Sequence, residues 1–429
     1  MGQPLSLPVI QKYSCHSCGN CCRQHEILVT EEERQRILGQ NWTEADDVPA
    51  GMKAFVRVGG FFSKQYRLAN REDGACVFLD PNNRCRIHAR FGEAAKPLPC
   101  RIYPFAFHPA GDKVAVSLRF SCPSVAGNDG KLIEQHRQDL HVLRDLVVPP
   151  SVAQYPPPAI SPGQQLDWPD TLRVVEGLKG VVSEPHEAPF AMRLVIALFV
   201  AQMLGKATFD KVRGGRLREL IDTLAMAAPE ETGLATGSID DPTTLGKTQF
   251  RLITAQYTTR DTTAAAGLGY RLRKLQHGLE FTRGKGMTPE MHPSLPPVAY
   301  ADLEKPFTCA DAGVDELFSR YFTVKLDGMA FCGPAFYGLP VTEGFMRLAL
   351  IYPITMYIAR WITCADGRFT LTAKDAQKAL TIVDHHHGYS PAMGMGNFRR
   401  RVQWLIAHDE IPRLAMHYAP ETDRQGEVE

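Results

Sequence analysis

The chain contains 429 residues, of which 44% are hydrophobic and 22% are charged, so it is long enough for two or three folded domains. Its 48 lysine and arginine residues nearly balance its 47 aspartate and glutamate residues, which excludes a strong overall attraction to nucleic acid or to an anionic membrane. No signal peptide is evident in residues 1–11, so we expect a cytoplasmic protein whose cysteines are reduced.

The first quarter of the chain, residues 13–123, is predicted to consist of turns, small strands and short irregular segments. Residues 26–29 are predicted to form a strand, and Thr30 followed by Glu33 predicts a capping box that opens a helix. Residues 114–120 alternate loosely between apolar and polar side chains, as in a half-buried strand. These elements are assigned to a cysteine-rich metal-binding domain that covers residues 1–147.

A proline-rich stretch at residues 148–166 is predicted to be a stiff, extended linker, and residues 167–429 are predicted to form an α-helical domain. Residues 346–364 are strongly apolar but contain two arginines and Pro353, which favours a buried, kinked core helix over a membrane span. The predicted helices cover residues 191–204, 210–227, 244–256, 314–322, 346–363, 373–384 and 398–408.

The region between residues 258 and 297 is basic and weakly patterned, and it is predicted to be loop with a short helix. The chain as a whole is predicted to be an α+β protein that is mostly α. An irregular cysteine-rich metal-binding N-terminal domain is followed by an α-helical C-terminal domain, with no membrane-spanning segment.

Eight of the eleven cysteines lie between residues 15 and 122, and the first four form a dense run with the spacing Cys-x2-Cys-x2-Cys-Cys. Thiols at two-residue spacing can reach one point in space, which a soft metal ion or an iron–sulfur cluster requires. In a reducing compartment such clustered cysteines are metal ligands more often than disulfides. The predicted metal ligands are Cys15, Cys18, Cys21, Cys22, Cys76, Cys85, Cys100 and Cys122.

The number of metal sites is left open by this pattern. Neighbouring side chains usually point in divergent directions, so we expect that either Cys21 or Cys22 binds a second site or is not a ligand. One cluster plus one structural zinc fits eight thiols as well as two clusters do. Arginines that could offset thiolate charge are Arg23, Arg84, Arg86, Arg90 and Arg101. Histidines that could replace a thiolate are His16, His25, His88 and His108.

The cysteine run, the segment Pro97–Phe105 and the last cysteine at Cys122 resemble the eight-cysteine CxxCxxCC zinc- or iron-chelating family, which includes bacterial flagellin lysine N-methylases. The resemblance covers about a quarter of the chain, although the overall length and the helical second half are also similar to the methylase branch. It implies a metal centre on these cysteines, either an iron–sulfur cluster of the [4Fe–4S] type or zinc. It also implies methyl transfer from S-adenosylmethionine to a lysine of a flagellin-like protein partner.

No catalytic residue or methyl-donor site is predicted from the sequence. The nearest glycine-rich candidate is Gly394–Phe398, but a lone Gly-x-Gly is usually only a loop. His385–His387 is interpreted as a polar helix end and Arg399–Arg401 as a solvated helix face. The three cysteines outside the cluster are interpreted as core or loop residues.

Two alternatives to a methylase remain open at this level. One is a non-catalytic, zinc-stapled module that binds a protein partner, in which the metal only folds a region with little apolar core. The other is an electron-transfer protein that carries an iron–sulfur cluster.

Overall fold

Helices dominate the architecture. The computed structural model describes residues 2–59, 64–183, 188–258 and 268–421. The protein is 54% helical with 11% strand, which confirms the predicted α+β, mostly α class. Small sheets lie in the N-terminal part of the chain, and the C-terminal part is built almost entirely from helices.

The α-helices of the described residues range in length from a single turn to more than four turns. In chain order they are α1 (Asn20–Gln24), α2 (Glu31–Leu38), α3 (Arg86–Phe91), α4 (Leu98–Ile102), α5 (Pro123–Gly127), α6 (Arg137–Val147), α7 (Trp168–Ser183), α8 (Phe190–Lys206), α9 (Gly215–Glu231), α10 (Thr244–Thr258), α11 (Leu268–Arg283), α12 (Tyr300–Leu303), α13 (Gly313–Asp327), α14 (Val341–Ala349), α15 (Ile351–Ala365), α16 (Ala373–His386), α17 (Pro391–Gly394), α18 (Gly396–Ala407) and α19 (Glu410–Tyr418).

The strands are short and belong to four small sheets. They are β1 (Leu5–Ser6), β2 (Lys12–Tyr13), β3 (Leu28–Val29), β4 (Phe55–Val58), β5 (Gln65–Leu68), β6 (Phe105–Ala110), β7 (Lys113–Leu118), β8 (Lys131–Leu132), β9 (Thr308–Cys309) and β10 (Thr370–Leu371). The three-stranded sheets have the orders β1-β7-β6 and β3-β5-β4, and the two-stranded sheets are β2-β8 and β9-β10. Strands β6 and β7 form an antiparallel hairpin.

A small apolar core lies within the cysteine-rich part of the chain. Helix α2 and strands β3 to β5 surround Phe78, whose ring meets that of Trp42 edge-on at a centroid distance of 5.6 Å. The predicted capping box opens α2, because Thr30 Oγ1 accepts from the amide of Glu33 and the Glu33 carboxylate accepts from the amide of Thr30. Within the described residues this core contains twelve buried hydrophobic residues, so it buries much less apolar surface than the core of the helical half.

A much larger core unites the helical half with the β6–β7 hairpin. The residues of β7 from Val114 to Leu118 are buried, and Phe120 beyond the strand packs edge-on against Tyr321 of α13 at 4.9 Å. The strand predicted at residues 114–120 is present as β7, but it ends at Leu118, two residues earlier than predicted. It is buried rather than half-buried, because its side chains join the helical core. The division into domains at residues 147 and 167 stays a prediction.

A buried ion pair of the helical half is hydrogen-bonded to the cysteine-rich half. The Lys325 ammonium lies 2.7 Å from the Asp384 carboxylate and donates to the carbonyl oxygen of Leu118 at 3.1 Å. The amide of Ser121 and the hydroxyl of Tyr321 also donate to the Asp384 carboxylate, each at 3.1 Å. Because every donor is directed at one buried carboxylate, removal of that carboxylate would leave several polar groups without partners.

The longest apolar helical segment is a core element of the helical half. Residues Val341–Ala365 are long and apolar enough to cross a membrane by length and composition, yet 89% of their most apolar window is buried inside the protein. The segment is divided between α14 and α15 next to Ala349, whose carbonyl oxygen cannot accept a hydrogen bond from Pro353 because proline has no N–H. The predicted kinked core helix is therefore confirmed.

Most helices of the second half begin or end within a few residues of the predicted positions. Helix α9 begins later than predicted, because Gly214 has a φ of 57° and a ψ of −125°, a conformation that only glycine adopts readily. Helices α6, α7 and α19 are not anticipated by the sequence patterns. The basic region after residue 258 contains the sixteen-residue helix α11, longer than the short helix predicted there, while residues 259–267 lie outside the described residues.

Candidate metal centre

The paired cysteines of the dense run lie on the short helix α1. The Sγ atoms of Cys21 and Cys22 are 4.0 Å apart, so the expectation that these neighbouring side chains diverge is wrong. Gly19 precedes the helix with a φ of 71°, and a Cβ atom at this position would lie 2.9 Å from Oδ1 of Asn83. Glycine is required here for both reasons, so the chain can turn sharply. The turn leaves the two earlier cysteines exposed and the adjacent pair half-buried.

Two further cysteines reach this helix through a turn in the chain. The amide of Cys76 donates to the carbonyl oxygen of Cys22 at 2.8 Å. A turn lies between Cys76 and Cys85, where the amide of Asp80 donates to the carbonyl oxygen of Arg84 and the Arg84 amide donates to Oδ1 of Asp80. Both cysteines therefore lie near the end of the cysteine run, although more than fifty residues separate them from it in sequence.

Cys100 lies on α4, which is held in place by the capping glutamate of α2. The backbone amide of Leu98 donates to Oε1 of Glu33 at 2.6 Å. The same carboxylate closes the capping box with Thr30, so one side chain fixes both the start of α2 and the start of α4. The position of Cys100 thus depends on a local motif located sixty-seven residues earlier.

Cys122 is brought to the beginning of the cysteine run by a separate set of contacts. Cys122 is the N-cap residue of α5, in which the Ser124 hydroxyl donates to the carbonyl oxygen of Ser14 at 2.7 Å. The Ser14 amide in turn donates to Oγ of Ser124 at 3.4 Å. Strands β2 and β8 pair beside these contacts. The chain preceding Cys15 therefore lies against the helix that follows Cys122.

Electrostatic coupling among the thiols defines a first neighbourhood. Burial, together with Cys85 and Cys21 nearby, raises the pKa of the Cys76 thiol to about 12. The pKa of the Cys100 thiol is raised by burial and then by Cys76, Cys85 and Cys21. The pKa of Cys22 is raised first by its hydrogen bond to Cys21, then by burial and by Cys21, Cys76 and Cys100. We call Cys22, Cys76, Cys85 and Cys100 the inner set.

A second neighbourhood surrounds Cys122. Burial, with Cys18 and Cys21 nearby, raises the pKa of the Cys122 thiol to about 12. Burial of Tyr13, with Cys15, Cys122 and Cys21 nearby, raises the pKa of its hydroxyl. We call Cys15, Cys18 and Cys122 the outer set. Cys21 lies beside both sets, so its assignment to the outer set gives two groups of four thiols.

The donor chemistry of this region fits a thiophilic metal. All eleven cysteines are free thiols, so no disulfide consumes a ligand. Backbone amides already donate to sulfur, from Phe78 to Cys76 and from Ser124 and Val125 to Cys122, as expected around thiolates. Across the described ranges of the chain, no three His, Cys, Asp or Glu side chains are positioned closely enough to hold a metal ion.

The predicted arginine partners act differently from the expectation. Arg23, Arg86 and Arg90 form ion pairs with carboxylates, at 3.2, 2.9 and 3.4 Å respectively. The cations that lower thiol pKa values are instead Lys96, which acts on Cys21 and Cys100, and Arg71, which acts on Cys76. Sequence reasoning missed both, although Lys96 directly precedes the Pro97–Phe105 segment that carries the family resemblance.

The candidate histidines are not grouped with the thiols. His16 and His88 are exposed, and the pKa of His108 is lowered to about 4 by burial and then by Lys325. His25 stacks on His385 of the helical half at a centroid distance of 4.8 Å, and its Nε2 atom is buried without a hydrogen-bond partner. Burial, followed by Arg119 and the neighbouring histidines, lowers the pKa of His25 to about 2, so its ring is neutral.

The end of α16 is a buried junction rather than a solvated helix end. His386 and His387 are 4% and 3% exposed. Arg119 donates to the carbonyl oxygen of His385 at 2.9 Å and lies over the ring of Tyr389 at 3.6 Å. This histidine run therefore contacts the cysteine-rich half. Local sequence did not reveal the contact, because the burial comes from chain segments far apart in sequence.

A cavity of about 330 Å³ lies within the helical half. Its lining includes the apolar side chains of Leu198, Met346 and Leu405 and the charged side chains of Glu231 and Arg413. None of the eight clustered cysteines lines it. Its size suits a small-molecule ligand, but its lining residues do not connect it with the metal centre.

Comparison with known proteins supports the metal-binding assignment for one part of the chain. Residues 14–123 match the family model described as “CxxCxxCC: Putative zinc- or iron-chelating domain”. No curated protein and no solved structure matches the chain. The match confirms the resemblance to the CxxCxxCC family and spans all eight clustered cysteines. The match supports zinc or iron chelation by residues 14–123, and it does not cover the helical half.

Proposed function

We propose that the cysteine-rich region binds zinc or iron through two neighbouring thiolate sites, formed by the inner set and by the outer set together with Cys21. The observation that carries this proposal is the gathering of eight thiols, spread over residues 15–122, into two adjacent neighbourhoods. The family match to zinc or iron chelation supports the same function. Assigning Cys21 to the outer site and Cys22 to the inner site gives each site four thiols, although the two Sγ atoms lie only 4.0 Å apart.

The electrostatics support a cation at this position. Thiols with raised pKa values hold their protons at neutral pH, and a bound metal replaces those protons with a much stronger positive charge. Lys96 and Arg71 would then offset the negative charge that remains on a four-thiolate centre. Metal binding would also stabilise the small core around Phe78, which has few apolar residues of its own.

The identity of the metal is part of the proposal. A [4Fe–4S] cluster and a structural zinc each take four thiolates, so two clusters, or one cluster and one zinc, both suit the two groups. The exposed Cys15 and Cys18 make the outer site the more accessible of the two to solvent and to partners. We assign the iron–sulfur cluster to the outer site for this reason, and zinc or a second cluster to the inner site.

We further propose that the chain is a cytoplasmic protein-lysine N-methyltransferase, with S-adenosylmethionine as methyl donor and a flagellin-like protein as substrate. This step rests on the resemblance to the flagellin lysine N-methylases and on the large helical half. A lysine amine must lose its proton before it attacks a methyl group, and a desolvated site favours the neutral amine. The 330 Å³ cavity is large enough to admit such a side chain, although no catalytic residue is assigned.

The rival functions differ in what the metal would do. In a zinc-stapled interaction module the metal would only fold the cysteine-rich region, whereas in an electron-transfer protein a cluster would change its redox state. The exposed Cys15 and Cys18 fit electron transfer better than the interaction module, because solvent access favours exchange with a partner. Neither rival requires binding of S-adenosylmethionine.

The decisive experiment begins with anaerobic purification of the full chain and measurement of iron, sulfide and zinc. A brown protein with broad absorbance at roughly 400 nm would support an iron–sulfur cluster, whereas a colourless protein that contains zinc alone would support the non-catalytic zinc-binding module. Calorimetry with S-adenosylmethionine and mass spectrometry of a flagellin-type protein then test methyl transfer. Metal-loaded protein that does not bind S-adenosylmethionine would exclude the methylase and leave the metal sites standing.

A further inference from the structure

An enclosed cavity lies where the ends of α10 and α16 meet α14 and α18. Polar side chains of Tyr257, Arg347 and His387 line it, and the remaining wall is mostly apolar, including Phe336 and Phe398. The cavity has a volume of about 10 Å³, which is room for one small ion or one water molecule. It is separate from the metal centre, since no clustered cysteine lines it.

Arg347 presents buried donors that no protein atom accepts. Its side chain is 3% exposed, and its Nη2 atom donates to Oε1 of Glu343 at 2.8 Å. Its Nε and Nη1 atoms are both buried and have no hydrogen-bond partner. A guanidinium with two buried, unsatisfied N–H groups is costly, because its desolvation is not compensated by hydrogen bonds.

His387 contributes a third unsatisfied nitrogen. Its Nδ1 atom lies 3.1 Å from the hydroxyl of Tyr257, and its Nε2 atom is buried without a partner. Burial, followed by Lys325, lowers the pKa of His387 to about 3, so the ring is neutral at physiological pH. We assign the Tyr257 hydroxyl as donor to Nδ1, which places the ring proton on Nε2 and makes it a donor as well.

The unsatisfied groups around this cavity therefore share one character, because all three are N–H donors. A water molecule accepts two hydrogen bonds and needs acceptors for its own two protons, whereas an anion accepts from every donor. Arg347 is compensated by Glu343 alone, and Arg399 adds a further positive charge nearby. We propose that this cavity binds one monovalent anion of about halide size, held by Arg347 and His387.

The test uses the full chain and chloride as the ligand. The thermal midpoint is measured as chloride replaces gluconate, which is too bulky for the cavity, at constant ionic strength. A midpoint that rises by several degrees and then saturates supports the site, because a ligand that binds only the folded state stabilises it. Arg347→Met should abolish the chloride dependence. If Arg347→Met does not fold, His387→Phe should weaken the dependence by removing one donor.

Arg360→Met is the matched control, because Arg360 is equally buried at 3% exposure but donates to backbone carbonyl oxygens away from the cavity. This variant should lose stability yet keep the chloride response. Crystals grown in bromide should show an anomalous peak within hydrogen-bond distance of Arg347. A chloride-insensitive wild-type midpoint, or a cavity that contains water while bromide binds only at the surface, would overturn the proposal.

Discussion

The backbone amide of Cys76 donates a hydrogen bond to the carbonyl oxygen of Cys22 at 2.8 Å. This bond joins the dense cysteine run to a segment fifty-four residues away and brings Cys22 and Cys76 of the inner set together. Cys122 reaches the same run by another route, through Ser124 and Ser14. Two independent sets of hydrogen bonds thus connect the two groups of thiols to the run, which is the basis for expecting two separable metal sites.

Metal stoichiometry should distinguish the inner site from the outer site. Cys76→Ala should remove the metal of the inner site and Cys122→Ala that of the outer site, so each variant should lose about half of the bound metal. Cys364→Ala is the control, because that cysteine lies on α15 in the helical half, and its metal content should stay at the wild-type level. Elemental analysis after anaerobic purification measures all three. Complete metal loss in both cysteine variants would indicate a single shared centre.

The buried ion pair between Lys325 and Asp384 should show strong energetic coupling. Asp384→Asn leaves the Lys325 ammonium buried without its counter-charge, and we expect a loss of about 3–5 kcal/mol in the free energy of unfolding. Lys325→Met should also destabilise, because the Asp384 carboxylate would lose the cation that most strongly offsets its burial. The double variant Lys325→Met/Asp384→Asn should be less destabilised than the sum of the two single variants. Urea denaturation of the four proteins measures the coupling, and purely additive effects would contradict it.

Acid stability should depend on Glu304. Burial raises the pKa of this carboxyl, but hydrogen bonds and charges from His417, Lys247 and Arg251 outweigh it and lower the pKa from 4.5 to about 2. A lowered folded-state pKa stabilises the protein above about pH 4.5, and the stabilisation is lost as the pH falls toward 2. Glu304→Gln should therefore cost about 2–3 kcal/mol at neutral pH.

The difference in stability between wild type and Glu304→Gln should shrink steadily as the pH falls from about 4.5 and vanish close to pH 2. Denaturant titrations at a series of pH values provide the measurement. Glu290→Gln serves as the comparison, because no interaction partner of its carboxylate is found within the described residues. A difference between the Glu304 variant and wild type that is independent of pH would show that the carboxylate charge contributes nothing.

Close packing at Gly344 should make this position intolerant of any side chain. A Cβ atom on Gly344 would overlap the carbonyl oxygen of Phe331, which is backbone and cannot move aside cheaply. We expect Gly344→Ala to destabilise by about 2–4 kcal/mol. In contrast, a Cβ on Gly205 of α8 would meet Thr342 at an ordinary distance of 3.6 Å, so Gly205→Ala should be neutral or stabilising. Thermal denaturation compares the two, and equal effects would refute the packing argument.

The sequence predicted those features whose causes are local. The capping box of Thr30 and Glu33 depends on residues three positions apart, and the kinked helix around Pro353 depends on one missing N–H group. The eight candidate metal ligands could likewise be proposed from spacing, and whether all of them bind metal stays a prediction. Their division into two sets could not be foreseen, because it depends on contacts such as that between Ser124 and Ser14.

Other features escaped prediction because they arise from tertiary packing. His386 and His387 belong to a polar run that sequence patterns place at a solvated helix end, yet surrounding segments bury both. The unsatisfied donors of Arg347 could not be predicted from the sequence either. There, an arginine in an apolar segment indicates only that the segment is not continuously apolar. Lys96 was overlooked because its effect on Cys21 and Cys100 depends on a fold that the short local motifs do not encode.

Strand β7 contributes to the apolar interior shared with the helices, and the family match at residue 123 ends immediately beyond it. A fragment cut at the matched boundaries would expose the apolar side chains of Val114–Leu118 to water, because the helices that cover them would be absent. The cysteine-rich segment of this chain is consequently not a self-contained unit that can be excised. Anyone seeking its chemistry in isolation would do better to express the whole polypeptide than to excise the segment that the motif delimits.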